Sequence, residues 1–195
     1  MQPSVKGGVT MVICIDPGHS GDYEPGAVRG FYKEAALTLK IAHHVKTHLE
    51  AFGYDVVMTR TEEIDNDLLQ PRVDIANASA ADVFVSIHIN AAINEQASGF
   101  EIYHYPSSRL GNSLAVNVQR SLISVVNLPD RGIKTAGWYV LRYTNMPAIM
   151  VECGFLSNPV DRMYVASSQG QWFFGEAIAK GIHCYCRMNC NNGKQ

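Results

Sequence analysis

The sequence predicts an α/β fold, a single domain built on a mostly parallel twisted sheet with helices on both faces. Short apolar runs at residues 11–15 and 82–88 lack the alternation of a half-exposed strand, and such runs suit strands covered on both faces. Segments with helical periodicity lie between the predicted strands, as in parallel sheets with crossover helices. The 195 residues suffice for one core, and no internal repeat divides them.

The composition excludes several classes of protein. Apolar residues make up 47% of the chain and charged residues 17%, as in an ordinary globular protein. The formal net charge of −2 gives no basic footprint, so we expect no nucleic-acid partner. No apolar run approaches the roughly 20 residues of a membrane helix, so we expect no membrane insertion. Residues 1–10 contain one lysine and no apolar centre, so we expect no signal peptide in this chain.

The first half of the chain alternates strands with helices. Strands are predicted at residues 11–15, 54–59 and 82–88, helices at residues 33–52 and 70–78, and a loop at residues 28–32. The first strand ends at Asp16-Pro17-Gly18, because proline cannot donate to a ladder and glycine tolerates turn dihedrals. The first helix carries an apolar stripe at helical period, formed by Leu37, Ile41, Val45 and Leu49.

The second half continues this pattern with shorter strands. Further strands are predicted at residues 99–103, 139–142 and 148–151, and helices at residues 110–126 and 172–185. A turn at Asn145-Met146-Pro147 separates the last two strands. We divide the chain into an N-terminal extension at residues 1–10, one folded domain at residues 11–187 and a loose polar tail at residues 188–195.

The five cysteines fall into two groups. Cys14 and Cys153 lie in apolar runs, where buried reduced thiols are common. Cys184, Cys186 and Cys190 lie close together near the end of the chain, but they lack the paired C-x-x-C spacing of zinc ribbons. A metal site and a disulfide both remain open for this group.

Four polar residues are predicted to meet at one edge of the sheet. His19 follows the first strand, Glu34 opens the first helix, His88 ends the third strand and Glu152 ends the strand AIMVE. Taken singly, a first-turn glutamate and a histidine at a strand end have ordinary structural explanations. Glu152 is the exception, because a carboxylate that continues a buried run is costly unless it is paired, protonated or near a metal.

The residue types of this group point to metal-assisted amide hydrolysis. Two imidazoles and one carboxylate match a three-ligand catalytic zinc site, which leaves a fourth position for water. Zinc lowers the pKa of such a water to ~7. The remaining carboxylate can take the proton of that water and pass it to a leaving nitrogen. We therefore expect one zinc ion per chain.

A second pair of histidines offers a rival metal site. His44 and His48 stand four residues apart and would share one face of the first helix. A zincin motif would require glutamate beside the first histidine, where this chain has Val45. We interpret both histidines as residues of the helix surface.

Five short motifs occur in a fixed order along the chain. They are Asp16-Pro17-Gly18-His19-Ser20-Gly21 followed by Gly26-Ala27, the helix-initial Glu34, Ser86-Ile87-His88-Ile89-Asn90, Gly99-Phe100-Glu101-Ile102-Tyr103, and Glu152-Cys153-Gly154-Phe155-Leu156-Ser157-Asn158. Together they resemble the zinc-dependent N-acetylmuramoyl-L-alanine amidases of the cell wall, the amidase-3 type. Arg60, Arg72 and Arg131-Gly132 also fit the family pattern, so the resemblance covers nearly the whole chain.

The resemblance implies hydrolysis of the amide between N-acetylmuramic acid and L-alanine of the peptidoglycan stem peptide. It implies that His19, Glu34 and His88 bind zinc and that Glu152 is the catalytic carboxylate. Residues 11–187 would be the catalytic domain, and peptidoglycan would be the partner. Ser20 replaces a usual glycine of the family, and residues 22–25 depart from its pattern.

Substrate contacts are predicted at the same edge. Asn90, Glu101, Arg142 and Asn158 could meet the glycan or the peptide, although roles as hydrogen-bonding turn and loop residues are equally open. Some family members carry a blocking helix between the positions of His88 and Glu152. This chain has no spare length there, which predicts an open groove.

Several alternatives stay open at the level of sequence. A zinc peptidase or deacylase could use the same four residues, and a wall-binding module could keep the metal without turnover. We expect a monomer that acts at the cell wall after secretion or release by lysis. An autolysin, a sporulation enzyme and a phage endolysin are all compatible with the sequence.

Overall fold

The computed structural model describes residues 5–6, 9–64 and 68–192. In chain order the elements are β1 (Val5–Lys6), β2 (Val9–Thr10), β3 (Val12–Pro17), β4 (Val28–Arg29), β5 (Tyr32–Lys33), α1 (Glu34–Ala51), β6 (Asp55–Met58), α2 (Leu69–Ala78), β7 (Val83–Asn90), β8 (Phe100–His104), α3 (Arg109–Val125), β9 (Asp130–Thr135), α4 (Tyr139–Tyr143), β10 (Ala148–Phe155), α5 (Pro159–Ala166) and α6 (Ser168–Asn192).

The main sheet has six strands in the order β6-β3-β7-β10-β8-β9. The first four run parallel, β8 pairs with β10 antiparallel, and β9 runs parallel to β8. The prediction of a mostly parallel sheet in an α/β fold is therefore confirmed. All eight residues of β10 are buried, because the strand lies between β7 and β8 and is covered on both faces.

The two faces of the sheet are covered unequally. One face packs against α1, α3 and α6, and its core includes the predicted stripe of α1 with Ile13, Val85 and Val151. The other face packs against the short helices α2 and α4 through Cys14 and Phe84. Successive strand residues point to opposite faces of the sheet. Polar residues that alternate with the apolar residues facing α1, α3 and α6 therefore lie on the other face, which the shorter helices cover less completely.

We call this less covered face the site face. Its polar residues include Asp16, Ser86, His88, Glu101 and Glu152. Asp16 pairs with Ser86, and Glu152 lies between His88 and Glu101 in the register of the strands. Their strands β3, β7 and β10 end at the same edge, where α/β sheets place their ligand sites.

Residues 139–142, predicted as a strand, form the helix α4 instead. Five residues are too few to reveal a period, and the consecutive apolar residues Val140 and Leu141 are both buried against the site face. The loop predicted at residues 28–32 holds the two-stranded sheet of β4 and β5.

Two further elements were missed in the sequence. β9 is a partly exposed edge strand with a polar sequence, so it lacks the apolar signal of a strand. α5 did carry a signal, because Asn158 caps the helix and Pro159 occupies its first turn.

The end of the chain is more regular than expected. The final helix was predicted at residues 172–185, but α6 continues to Asn192 and includes most of the expected loose tail. Residues 193–195 lie outside the described part, as do residues 1–4 and 7–8 of the predicted extension. Cys14 and Cys153 are free and buried as predicted, and Cys184 and Cys186 are also free thiols. The side chain of Cys190 is outside the described residues.

The part of the chain that the structure describes contains no helix with the length and hydropathy of a membrane span.

Candidate active site

Three of the four predicted residues form one compact group at the carboxyl edge of the sheet. Ligand atoms of His19, Glu34 and His88 all lie within 4.8 Å of one another. His19 Nε2 is 3.0 Å from Glu34 Oε2, and His88 Nδ1 is 3.0 Å from Glu34 Oε1. The two imidazole rings meet edge to face, with their centroids 4.9 Å apart.

The backbone that carries His19 adopts an unusual conformation. His19 has a φ of 62°, in the left-handed region that residues with a Cβ seldom occupy. Strain of this kind persists only where the surroundings impose it. Arg72 does so here, since its guanidinium donates to the carbonyl oxygens of Pro17 (2.8 Å) and His19 (2.5 Å).

Two glycines let the backbone approach the group closely. A Cβ on Gly18 would lie 2.5 Å from His88 Cε1. Gly26 has a φ of +66°, and a Cβ there would lie 2.4 Å from His19 Cδ2 and 2.6 Å from Glu34 Oε2. The side chains of His19, Glu34 and His88 are therefore packed directly against the backbone of Gly18 and Gly26.

The Glu34 carboxylate is fixed and ionised. Its two oxygens accept hydrogen bonds from the backbone N–H groups of Ala27 and Ile89, each at 2.9 Å. Burial raises the pKa of Glu34, but His19 and His88 outweigh burial and hold the pKa well below its usual value. An ionised carboxylate with two imidazoles is the donor chemistry of a catalytic zinc site, and the described residues therefore fit that metal.

Glu24 adds a second carboxylate behind His19. Its Oε2 lies 2.5 Å from His19 Nδ1, the ring nitrogen that faces away from Glu34. Burial lowers the pKa of His19, but Glu34 and Glu24 outweigh it and raise the pKa above its usual value. Carboxylates in this position orient metal-binding histidines.

Glu152 is buried beside this group, and its Oε2 has no hydrogen-bond partner among the described residues. Burial, followed by the charges of Glu34 and Glu101, raises the pKa of Glu152 well above its usual value. An unpartnered buried carboxylate is costly, so it points to a group that is kept for exchange of protons.

On the other side of Glu152 lies a network that we call the Glu101 cluster. It consists of Glu101, Asn90, Tyr103, Arg131 and Lys134. Oε1 of the buried Glu101 accepts from Asn90 Nδ2 (2.9 Å) and the Tyr103 hydroxyl (2.7 Å), while Oε2 accepts from Arg131 Nε (2.9 Å) and Lys134 Nζ. Burial raises the pKa of Glu101, but these donors outweigh burial and lower it.

A cavity of about 480 Å³ opens over the site face. Its polar lining includes His19, His88 and Glu152. Its apolar lining comes from α2, from the start of α4 and from β10, and consists of Leu69, Trp138, Tyr139, Val140 and Met150. The cavity has the size and the mixed lining of a small-molecule or polymer-end site.

Comparison with known proteins identifies the family of the chain. The amidase-3 family model, described as N-acetylmuramoyl-L-alanine amidase, matches residues 13–184. The chain belongs to the amidase-3 family. Among solved structures, this amidase-3 chain is similar to the amidase AmiC2 of Nostoc punctiforme, with a TM-score of 0.85 and 37% identity over 91% of this chain and 97% of that one. An N-acetylmuramoyl-L-alanine amidase from Clostridium difficile 630 gives a TM-score of 0.86 and 36% identity, with 91% and 97% covered.

The amidase-3 chain is also 38% identical to the N-acetylmuramoyl-L-alanine amidase LytC of Bacillus subtilis over 173 residues. That match covers 88% of this chain but 34% of LytC, so the chain spans about a third of the length of that relative.

The structure does not bring every predicted contact of the amidase-3 chain to the cavity. Arg142 lies at the end of α4 over the Tyr143 ring, at 5.3 Å, and lines a different cavity. Asn158 caps α5 through Val160 N (2.9 Å), and its Nδ2 donates to the Glu95 carbonyl. Neither residue lines the 480 Å³ cavity within the described chain, and the other two predicted contacts, Asn90 and Glu101, also lie outside its lining.

The rival histidine pair has a packing role. His44 and His48 contact the Trp172 ring of α6, with centroid distances of 5.6 and 4.4 Å. Within the described ranges they belong to no group of three metal-binding side chains. The two histidines are half-buried between α1 and α6 rather than lying on the open helix surface, which refines the prediction.

Several site residues of the amidase-3 chain were not singled out from the sequence. Glu24 carries no signal, because the left-handed turn at His19 brings it close. Trp138 and Tyr139 were hidden by the mistaken strand at residues 139–142. Asp16 was interpreted as part of a turn and of the first motif but was given no role in the site, yet it is buried and paired with Arg72 at 2.7 Å.

Proposed function

We propose that this protein is a zinc-dependent peptidoglycan amidase that cleaves the amide between N-acetylmuramic acid and L-alanine of the stem peptide. The observation that carries the proposal is the unpartnered buried oxygen of Glu152 next to the His19, Glu34 and His88 group. Membership of the amidase-3 family supports the substrate class. We further propose that the protein acts at the cell wall as a monomer.

His19, Glu34 and His88 would hold one zinc ion. When bound, zinc would polarise the substrate carbonyl and lower the pKa of a water to ~7. Other groups of the chain orient these three side chains before any metal binds. Ala27 N and Ile89 N fix the Glu34 oxygens, and Glu24 orients the His19 ring through Nδ1.

Glu152 would move the protons. Its carboxylate accepts a proton from the attacking water as the water oxygen bonds to the carbonyl carbon. The same carboxyl then donates a proton to the nitrogen of the stem peptide as the carbon–nitrogen bond breaks. Burial raises the pKa of Glu152 towards the range where one group can accept and return a proton.

The remaining side chains would position the substrate. Trp138 and Tyr139 present aromatic surface to the cavity, which suits the apolar faces of a sugar or of an alanine side chain. Among the predicted contacts, Asn90 and Glu101 bind each other, so they would act on the substrate through the cluster they belong to. Arg142 and Asn158 have other partners, and the proposal does not depend on them.

The proposal is tested by analysing the products of purified peptidoglycan digested by this protein alone. We expect free stem peptides and intact glycan strands, with release abolished by a chelator and restored by zinc. Activity without any added activator would also support the open groove predicted from the sequence. Shortened peptides that remain attached to glycan would instead indicate a zinc peptidase, and zinc binding without release would indicate a wall-binding module.

A further inference from the structure

Two cations in the Glu101 cluster converge on one carboxylate. Arg131 Nε lies 2.9 Å from Glu101 Oε2, and Lys134 Nζ donates to the same oxygen. Arg131, Lys134 and Glu101 together carry one net positive charge, although the whole chain carries −2. Within this group of three side chains, two cations therefore share one carboxylate.

The two cations face solvent, whereas the carboxylate beneath them does not. The side chains of Arg131 and Lys134 are 35% and 38% exposed, compared with 2% for Glu101. Lysine has three N–H donors and arginine has five, and both residues keep donors beyond those used on Glu101 and on the Ser98 carbonyl. The cluster thus exposes unused N–H donors of Arg131 and Lys134 to solvent, while Glu101 holds both side chains in place.

The position of the cations relative to Glu152 gives them a direction. Glu101 lies directly opposite Glu152 on the neighbouring strand β8, and Lys134 lies opposite Tyr103 on β9. The metal-binding group lies on the other side of Glu152, since His88 pairs with it on β7. Arg131 and Lys134 therefore lie on the side of Glu152 away from His88, the side that is left for the peptide part of the substrate.

The distance fits a short stretch of peptide. Strands are about 4.8 Å apart, so β9 lies ~10 Å from β10, and the Lys134 ammonium reaches back to Glu101 over β8. An extended peptide advances about 3.5 Å per residue, so this interval corresponds to one to three residues beyond the cleaved amide. The second residue of a peptidoglycan stem peptide is linked through its side chain, which leaves its α-carboxyl group either free or amidated.

A purely structural role would not require this arrangement. Asn90 and Tyr103 already satisfy Oε1 of Glu101, and one cation would neutralise the carboxylate. The second cation leaves a charge that the cluster itself does not balance. An anion from outside the chain would balance it and accept the unused donors.

We propose that Arg131 and Lys134 form a subsite for the free α-carboxylate of the second stem-peptide residue, with Glu101 as the positioning residue beneath them. The inference rests on the proposed function and adds a preference to it. Stem peptides with a free carboxylate at this position are cleaved faster than amidated ones.

The test is a competition on polymeric peptidoglycan that carries both forms of the second residue. The holoenzyme digests the mixture, and mass spectrometry counts the released acid and amide peptides at low conversion. We expect about fivefold faster release of the acid form at low salt, as for partly exposed ion pairs. High salt should bring the ratio towards one, because it screens exposed charges.

Variants assign this preference to the two cations. Lys134→Gln and Arg131→Gln should each lower the acid-to-amide ratio, while Lys180→Gln, which removes an exposed lysine paired with Glu176 on α6, should leave it unchanged. An unchanged ratio in both cluster variants, or equal release of both peptides by the wild type, would overturn the inference but leave the amidase intact. If no stem peptide of either form were released, the proposed function itself would fail. If a variant does not fold, equal release of both peptides by the wild type at low salt would still overturn the inference.

Discussion

The two faces of the central sheet use the same strands for opposite purposes. On the face covered by α1, α3 and α6, residues such as Ile149 and Val151 are fully buried among apolar neighbours. On the site face the alternate positions carry ionisable groups, of which Glu152 is one. Because side chains alternate between the two faces along a strand, neighbouring residues of β10 face either the apolar core or the ionisable groups of the site face.

The site face is itself divided by how its carboxylates are satisfied. Asp16 is buried, and it accepts hydrogen bonds from Thr59 (2.6 Å), Arg72 (2.7 Å) and Ser86 (2.6 Å). Burial raises the pKa of Asp16, but Arg72 and these hydrogen bonds outweigh it and lower the pKa. Glu152 is as deeply buried, but its Oε2 lacks a partner among the described residues and its pKa is raised. Hydrogen-bond partners and a neighbouring cation, rather than burial alone, therefore decide whether the pKa of each carboxylate is lowered or raised.

The largest expected effect separates chemistry from folding on β10. Glu152→Gln should lower turnover about 10³-fold, because it removes the group that we propose transfers the protons, and zinc content should be unchanged. Turnover, bound zinc and thermal unfolding would be measured together, with the exposed Glu95→Gln as the control. Full activity in the Glu152 variant would show that another group acts as the base.

The second prediction concerns an exception to the contrast between the two faces, because Asp16 lies on the site face but stabilises the fold. Asp16→Asn should lower the free energy of unfolding by about 3 kcal/mol, since it leaves the buried Arg72 guanidinium without its counter-charge. Urea denaturation measures this loss. A variant as stable as the wild type would mean that the hydrogen bonds alone hold Arg72 in place.

The third prediction concerns the opposite face of the same strand as Glu152. Ile149→Ala removes a fully buried side chain and should cost about 3 kcal/mol of unfolding free energy through the cavity it leaves. Turnover per folded molecule should stay close to that of the wild type. Loss of turnover without loss of stability would contradict the separation of the two faces.

The smallest expected effect tests the close packing of His19, Glu34 and His88, the proposed metal ligands. Gly26→Ala should lower zinc affinity about tenfold, because the new methyl group would displace His19 or Glu34. Gly30→Ala is the matched control, since Gly30 also has a positive φ (+58°) but a Cβ there has no heavy atom within 4 Å. Both variants carry the backbone strain, so a difference in zinc affinity between them isolates the contact.

The sequence predicted those parts of the site that lie at strand ends. His19, His88 and Glu152 could be placed because each follows or ends a predicted strand, and Glu34 could be placed because it opens the helix after the first strand. Glu24 could not be placed, because its contact with His19 depends on a left-handed turn that no propensity signals. Arg131 was noted only as part of a family pattern. Its strand β9 lies at the sheet edge, where an apolar pattern is not required.

The complete burial of β10 has a consequence for how the protein unfolds on heating or is digested by a protease. Local opening of a domain begins at frayed ends and exposed loops, and strands in the middle of a sheet open last, together with the global transition. Glu152 is mounted on such a strand, with His88 on the strand beside it. Heat or a protease should therefore act first on the periphery, which includes the loop of His19, while the strands of His88 and Glu152 stay closed. Amide protons of residues 149–152 should be among the slowest to exchange.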